Sequence, residues 1–125
     1  MFPGGVKVLI ADDDRLVRTM VTDLLGELGH DVVAAENGAE AVSLCLRERP
    51  EVVVLDLLMP RLSGLDALKR MRGSGYDGPA ILLTAISDPS FREMEGAEAV
   101  EIRLDKPVTR RGLERALSRA MDGRP

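Results

Sequence analysis

Asp12, Asp13, Asp56, Thr84 and Lys106 stand far apart in the chain, yet each lies at or just beyond the end of a short apolar run. Carboxylates, a hydroxyl and an ammonium together suit the movement of a phosphoryl group. A carboxylate can act as the nucleophile. A cation and a lysine neutralise the charge that spreads over the equatorial oxygens in flight. A threonine hydroxyl can then hydrogen-bond the transferred group. Three carboxylates within a few ångströms repel one another, and partial burial lifts their pKa values further. A divalent cation or a nearby ammonium relieves that repulsion, and Lys106 supplies the ammonium. Hard oxygen ligands select Mg²⁺, with Mn²⁺ as a substitute, over a thiophilic metal.

These residues meet only if the runs before them end on one rim. Val6–Ala11 is a short β-branched run, as expected of a strand buried on both faces. From Arg15 to Leu28 the residues Leu16, Val17, Met20, Val21, Leu24, Leu25 and Leu28 recur at helical spacing, and Gly29 sits where a left-handed cap is wanted. Asp31–Ala35 predicts a second strand. Asn37-Gly38 then opens a helix carrying Ala41, Val42, Cys45 and Leu46, which Pro50 ends. Val52–Leu55 is the clearest strand and runs straight into Asp56. A helix follows over Leu65–Arg72, a loop over Gly73–Pro79, and a strand over Ala80–Leu83. Pro89–Ala97 predicts a short polar helix, Glu101–Leu104 an alternating edge strand, and Thr109–Met121 a last helix.

Strand and helix thus alternate five times. That pattern predicts an α/β domain, a parallel sheet with helices on both faces. Right-handed crossovers prune the alternatives, and the flavodoxin-like (βα)5 doubly wound sandwich, with its five-stranded sheet in the order 2-1-3-4-5, is the leading choice. In such sheets ligands bind beyond the carboxyl ends of the strands, where the five polar residues fall.

Composition bounds the rest. A chain of 125 residues makes one domain, expected to span 1–125, large enough to hold a core without disulfides. With 45% hydrophobic and 30% charged residues it is neither disordered nor membrane-embedded, and no run nears the roughly 18 apolar residues of a spanning helix. The start, Met1–Gly5, lacks the basic and apolar stretches of a signal peptide, and a single cysteine, Cys45, suits a reducing cytoplasm. A net charge of −4 and 2% aromatics argue against direct nucleic-acid binding by this domain.

At Val8–Asp14, at Val54–Pro60 with Gly64 following, at Leu83-Thr84-Ala85 and at Lys106-Pro107, the chain resembles the receiver domain of two-component response regulators, such as the chemotaxis response regulator. The resemblance covers essentially the whole chain, and the four motifs in this order and separation are highly specific. It implies that Asp56 accepts a phosphoryl group from the phosphohistidine of a sensor histidine kinase or phosphotransfer protein, then switches a surface for an effector or fused output domain. It further implies a Mg²⁺ site built from Asp12, Asp13, Asp56 and the backbone carbonyl of Leu58. Thr84, Lys106 and the Ala85 amide would hold the phosphoryl group, and the Lys106-Pro107 bond would be cis. The chain would be a signalling phosphoacceptor in the cytoplasm rather than an enzyme, with a phosphorylation-dependent homodimer as one outcome. Its end at Asp122–Pro125 fits a stand-alone regulator and equally a receiver taken from a longer protein.

Two departures stand out. Arg103 occupies the place where the family usually carries the aromatic ring of its switch; arginine cannot enter an apolar slot in that way but can swing between acidic partners. The segment Gly96–Val100 also departs from the usual small-residue pattern. Leu58 and Ile86 are both apolar at positions that in the family govern attack by water, which predicts slow loss of the phosphoryl group.

Other readings compete residue by residue. Asp14 serves as a helix N-cap, and Asp12 and Asp13 could do no more than that. Asp56 could merely form a turn, Thr84 could saturate a strand end and Lys106 could be a solvated lysine. Cys45 reads as an inert buried thiol, His30 as a loop residue, and Met20, Met71 and Met121 as core filler. The arginines Arg103, Arg110, Arg111, Arg115 and Arg119 form a solvated face or a docking surface. For the whole chain, one alternative is a docking platform that works without phosphorylation. Another is an aspartate-nucleophile phosphatase of the haloacid dehalogenase type, with Asp12 as nucleophile, which leaves Asp56–Pro60 unexplained.

Overall fold

The computed structural model describes residues 5–85 and 102–122. Strands β1 (Lys7–Ala11), β2 (Asp31–Ala35), β3 (Val52–Asp56), β4 (Ala80–Ala85) and β5 (Ile102–Lys106) form one parallel sheet in the order β2-β1-β3-β4-β5. Helices α1 (Arg15–Glu27), α2 (Gly38–Glu48) and α3 (Gly64–Gly73) follow the first three strands, and α4 (Arg110–Asp122) follows β5. This is the doubly wound α/β fold that strict alternation predicts. The expected helix over 89–97, the segment 96–100 and Ile86 lie outside the described residues.

Alternation of side chains along each strand divides the core into two layers. Leu9, Val53, Leu55 and Leu82 face α2 and α3, packing with Ala41, Cys45, Leu65, Leu68 and Met71. Val8, Ile10, Val54, Ile81 and Leu83 face the other way, against Val21 and Leu25 of α1 and Leu113 and Leu117 of α4. β3 is buried along its whole length, which is why its sequence reads as an unbroken apolar run.

Local chemistry fixes where the helices begin and end. The Asp14 carboxylate accepts from the Leu16 and Val17 amides and so caps α1. At the other end Gly29 takes φ +90°, the Gly29 amide donates to the Gly26 carbonyl, and the His30 amide donates to that of Leu25. This is a Schellman closure, which glycine permits at no steric cost. α2 ends at Arg49, left-handed at φ 49° directly before Pro50, whose ring disfavours a helical residue ahead of it. The Lys106-Pro107 peptide bond is cis, as the resemblance implied.

Several expectations need correction. Strands β3, β4 and β5 run one or two residues further than their apolar stretches, so that Asp56, Thr84 and Lys106 lie inside the ladder rather than beyond it. The register pairs Asp56 with Leu83, Thr84 with Asp105 and Ala85 with Lys106. Backbone pairing continues where side-chain polarity changes. The apolar stripe of α1 is also wider than the face it buries: Val21 and Leu25 are buried, while Leu16 is 81% exposed and Met20, expected in the core, is 38% exposed. His30 is a loop residue as expected, and its Nδ1 accepts a hydrogen bond from the Val6 amide at 3.1 Å.

Candidate functional site

The carboxyl rim of the sheet gathers the expected charges. β1 delivers Asp12, β3 ends in Asp56 and β5 ends in Lys106, so three neighbouring or near-neighbouring strands aim at one place. Lys106 Nζ lies 3.1 Å from Asp12 Oδ2 and 3.2 Å from Asp56 Oδ1. Asp13, exposed, completes an acidic triad: one carboxylate oxygen each from Asp12, Asp13 and Asp56 lie within 4.8 Å of one another.

Asp12 is fully buried and its position is fixed on three sides. Its amide donates to the Ala35 carbonyl, its own carbonyl accepts from Arg18 Nη1 at 2.8 Å, and its Oδ1 accepts from the Asp14 amide at 2.8 Å. Arg18 was not legible as part of this arrangement; only its place on α1, one turn beyond the Asp14 cap, brings it over Asp12. The remaining oxygen, Oδ2, is buried and pairs with the Lys106 ammonium at 3.1 Å. The acidic triad is an all-oxygen set of the kind that fits a hard divalent cation.

Electrostatics point the same way. Burial first, and the Asp12 charge second, push the Asp56 carboxyl up to about 7 despite the opposing pull of Lys106. At Lys106 burial works against the charged ammonium, but Asp12 and Asp56 together outweigh it and hold the pKa above its ordinary value. One lysine therefore does not balance the cluster.

Immediately after β3 the chain turns under tight constraint. The Leu57 amide donates to the Leu83 carbonyl, and the Gly64 amide donates to that of Leu57. Leu57 and Met59 are buried while Leu58 between them is 65% exposed, so the segment is anchored on both sides of Leu58. Gly64 packs against the Asp56 backbone so closely that a Cβ there would collide with the Asp56 carbonyl. That contact gives the glycine of the sequence motif its physical reason. At Arg61, φ is 71° and the Leu62 amide donates back to the Pro60 carbonyl, a tight turn with no glycine to announce it.

Thr84 is placed differently from the other four. It is buried, and its hydroxyl donates to Asp105 Oδ1 at 3.1 Å while accepting from Arg103 Nε at 3.0 Å. Arg103 Nε also lies 3.1 Å from Asp105 Oδ1. The hydroxyl is thus engaged on β5 rather than with the acidic triad. Arg103 does find an acidic partner, as its departure from the usual aromatic suggested. Asp105 was missed in the sequence, where only the spacing Arg103–Asp105 on one face of a strand hinted at it. Ala85 pairs with Lys106 in the ladder, next to the site. Cys45 is buried in the core and burial pushes its thiol up to about 11, as expected of an inert cysteine.

Comparison with known proteins agrees with this geometry. A family model described as the response regulator receiver domain matches residues 8–118. The response regulator MprA of Mycobacterium tuberculosis is 38% identical over 115 residues, which is 92% of this chain and 49% of that protein. The chain therefore spans about half the length of the curated relatives it matches. Among solved structures, the chemotaxis protein CheY4 of Vibrio cholerae superposes with a TM-score of 0.86 at 29% identity, over 93% of this chain and 98% of that one. The receiver domain of the sensor histidine kinase PA1611 of Pseudomonas aeruginosa, with a magnesium ion coordinated in its active-site cleft, gives a TM-score of 0.86 at 28% identity, over 95% and 99% of the two chains. Among the described residues no helix is long and apolar enough to cross a membrane. With the fold, the acidic triad and the rim lysine in one arrangement, this chain belongs to the response regulator receiver domain family.

Proposed function

We propose that Asp56 is the phosphoacceptor of a two-component phosphorelay and that residues 1–125 act as one receiver domain. The observation that carries this is the placement of Asp56 at the end of a fully buried strand, 3.2 Å from Lys106 and within reach of Asp12 and Asp13. The Asp56 carboxylate attacks the phosphorus of a phosphohistidine on a sensor histidine kinase or phosphotransfer protein. A P–O bond forms as the P–N bond breaks, and the departing imidazole takes up a proton. Asp12, Asp13, Asp56 and the Leu58 carbonyl would hold Mg²⁺, or Mn²⁺ in its place, which when bound supplies neutralisation of the phosphoryl oxygens. Lys106 pairs with the same oxygens, the Ala85 amide donates to them, and the Thr84 hydroxyl joins after phosphorylation. Leu58 carries no group able to orient a water, which supports slow hydrolysis of the acyl phosphate; a lifetime no longer than that of variants polar at positions 58 and 86 would sink that expectation. The chain works as a cytoplasmic switch rather than a turnover catalyst. Its output is an effector or fused output domain, or a phosphorylation-dependent homodimer, with no direct nucleic-acid contact of its own.

The test is labelling with acetyl phosphate, with and without Mg²⁺, followed by intact mass, borohydride trapping and mapping of the modified residue. Mg²⁺-dependent label on Asp56 that disappears in Asp56→Asn is the expected outcome. Label on Asp12 would replace this function with the phosphatase, and a folded chain that takes no label from either acetyl phosphate or a kinase would replace it with the docking platform.

A further inference from the structure

The Thr84 hydroxyl has one proton, and in this structure that proton is already donated to Asp105. The lone-pair side is also engaged, because Arg103 Nε–H is shared between Thr84 Oγ1 at 3.0 Å and Asp105 Oδ1 at 3.1 Å. The three groups close a ring across the β4–β5 ladder, whose register sets Thr84 directly opposite Asp105 and Leu82 opposite Arg103. Arg103 and Asp105 sit two residues apart on β5 and so emerge on the same face. Their exposure is graded: Thr84 is buried at 1%, the Arg103 side chain is 29% exposed and that of Asp105 51% exposed. The ring therefore runs from the protein interior to its surface.

We propose that Asp105, steadied by Arg103, is a positioning residue that holds the Thr84 hydroxyl away from the phosphoacceptor and sets the threshold for switching. This rests on the function proposed above for Asp56. A phosphoryl group on Asp56 and the Asp105 carboxylate compete for the same hydroxyl proton. Thr84 can donate to the phosphoryl oxygens only by leaving Asp105, and no bond is made or broken except hydrogen bonds. Once Thr84 leaves, the Arg103–Asp105 pair loses its contact with the buried hydroxyl, and the surface of β5 presents a rearranged charge pair. The buried end of the ring thus senses phosphorylation and the exposed end reports it, without an aromatic side chain.

The experiment is a double-mutant cycle on the full chain, with beryllofluoride and Mg²⁺ as the phosphoryl mimic and acetyl-phosphate labelling in parallel. Asp105→Ala is expected to tighten beryllofluoride binding about tenfold, the scale of one hydrogen bond to a charged acceptor. The same change in a Thr84→Ala background is expected to have no effect. An equal gain in both backgrounds would show that Asp105 acts only as a repelling charge and would overturn the proposal. No gain in Asp105→Ala, with wild type labelled on Asp56, would also overturn it while leaving the phosphoacceptor intact. Absence of any label in wild type would remove the phosphoacceptor and this proposal together. A readout free of phosphoryl chemistry is the Arg103 Nε–H proton in NMR, expected to exchange with solvent faster in Thr84→Ala and in Asp105→Ala than in wild type. Unchanged exchange in Thr84→Ala would mean that the hydroxyl is no part of the ring, which would equally overturn it.

Discussion

The two rims of the sheet treat charge in opposite ways. At the amino rim the polar groups are paired locally: Lys7 Nζ lies 2.8 Å from Glu48 Oε1, the Val6 amide finds His30, and the Schellman closure satisfies the end of α1. At the carboxyl rim three carboxylates share one ammonium, and Asp56 is held far above the ordinary carboxylate range. Both rims are built from the same five strands, so the fold does not require the second arrangement. The difference teaches that like charge is concentrated at the carboxyl rim, where open α/β sheets bind their ligands, whereas the amino rim balances its charges locally.

The strongest way to break the contrast is to remove one of those like charges. In the folded chain Asp56 keeps its proton up to about 7, whereas an unfolded aspartate loses it at about 4. Between those values the folded state binds more protons, so stability falls as pH rises through the window. In metal-free buffer above pH 7, Asp56→Asn is expected to be more stable than wild type by roughly 2–4 kcal/mol, the gap closing towards pH 4. Urea denaturation across that range measures it, and added Mg²⁺ is expected to narrow the gap at high pH.

Crowding the rim without touching its charges comes next. Gly64→Ala drives a methyl into the Asp56 carbonyl, and a cost of about 3 kcal/mol is expected from overpacking against backbone. Because Asp56 itself must shift, labelling by acetyl phosphate is expected to fall as well, which a purely global loss of stability at low temperature would not produce. Asp14→Ala separates the two roles of the acidic run. Removing the α1 cap is expected to cost about 1 kcal/mol while leaving the rate of labelling within twofold. The smallest effect belongs to the amino rim, where Lys7→Ala removes a solvent-screened pair. Its denaturation midpoint is expected to stay within experimental error of wild type, with labelling unchanged. A large loss there would dissolve the contrast between the rims.

What was legible in the sequence follows from the same physics. Strands buried on both faces must be apolar throughout, so β1 and β3 stand out without any structure. Asp12, Asp56 and Lys106 were visible because they interrupt or follow such runs. Strand ends were read short, since a polar side chain at Asp56 or Thr84 does not reveal that its backbone still pairs. Leu16 and Met20 fit the helical period of α1 and yet face outward, because periodicity counts apolar residues but not how much surface the sheet can cover. Asp105 carried no signal beyond its spacing from Arg103, and Arg18 carried none. Each acquires meaning only from a neighbour brought close by register or by a helix turn.

Among the described residues β5 is an edge of the sheet, and three of its five side chains, Arg103, Asp105 and Lys106, are charged. A second sheet joining at that edge would have to strip water from Arg103 and Asp105 without offering either a better partner than it already has. Charged edges of this kind resist strand addition and the aggregation that follows from it. The residues that engage Thr84 therefore also disfavour the pairing of a further strand along β5.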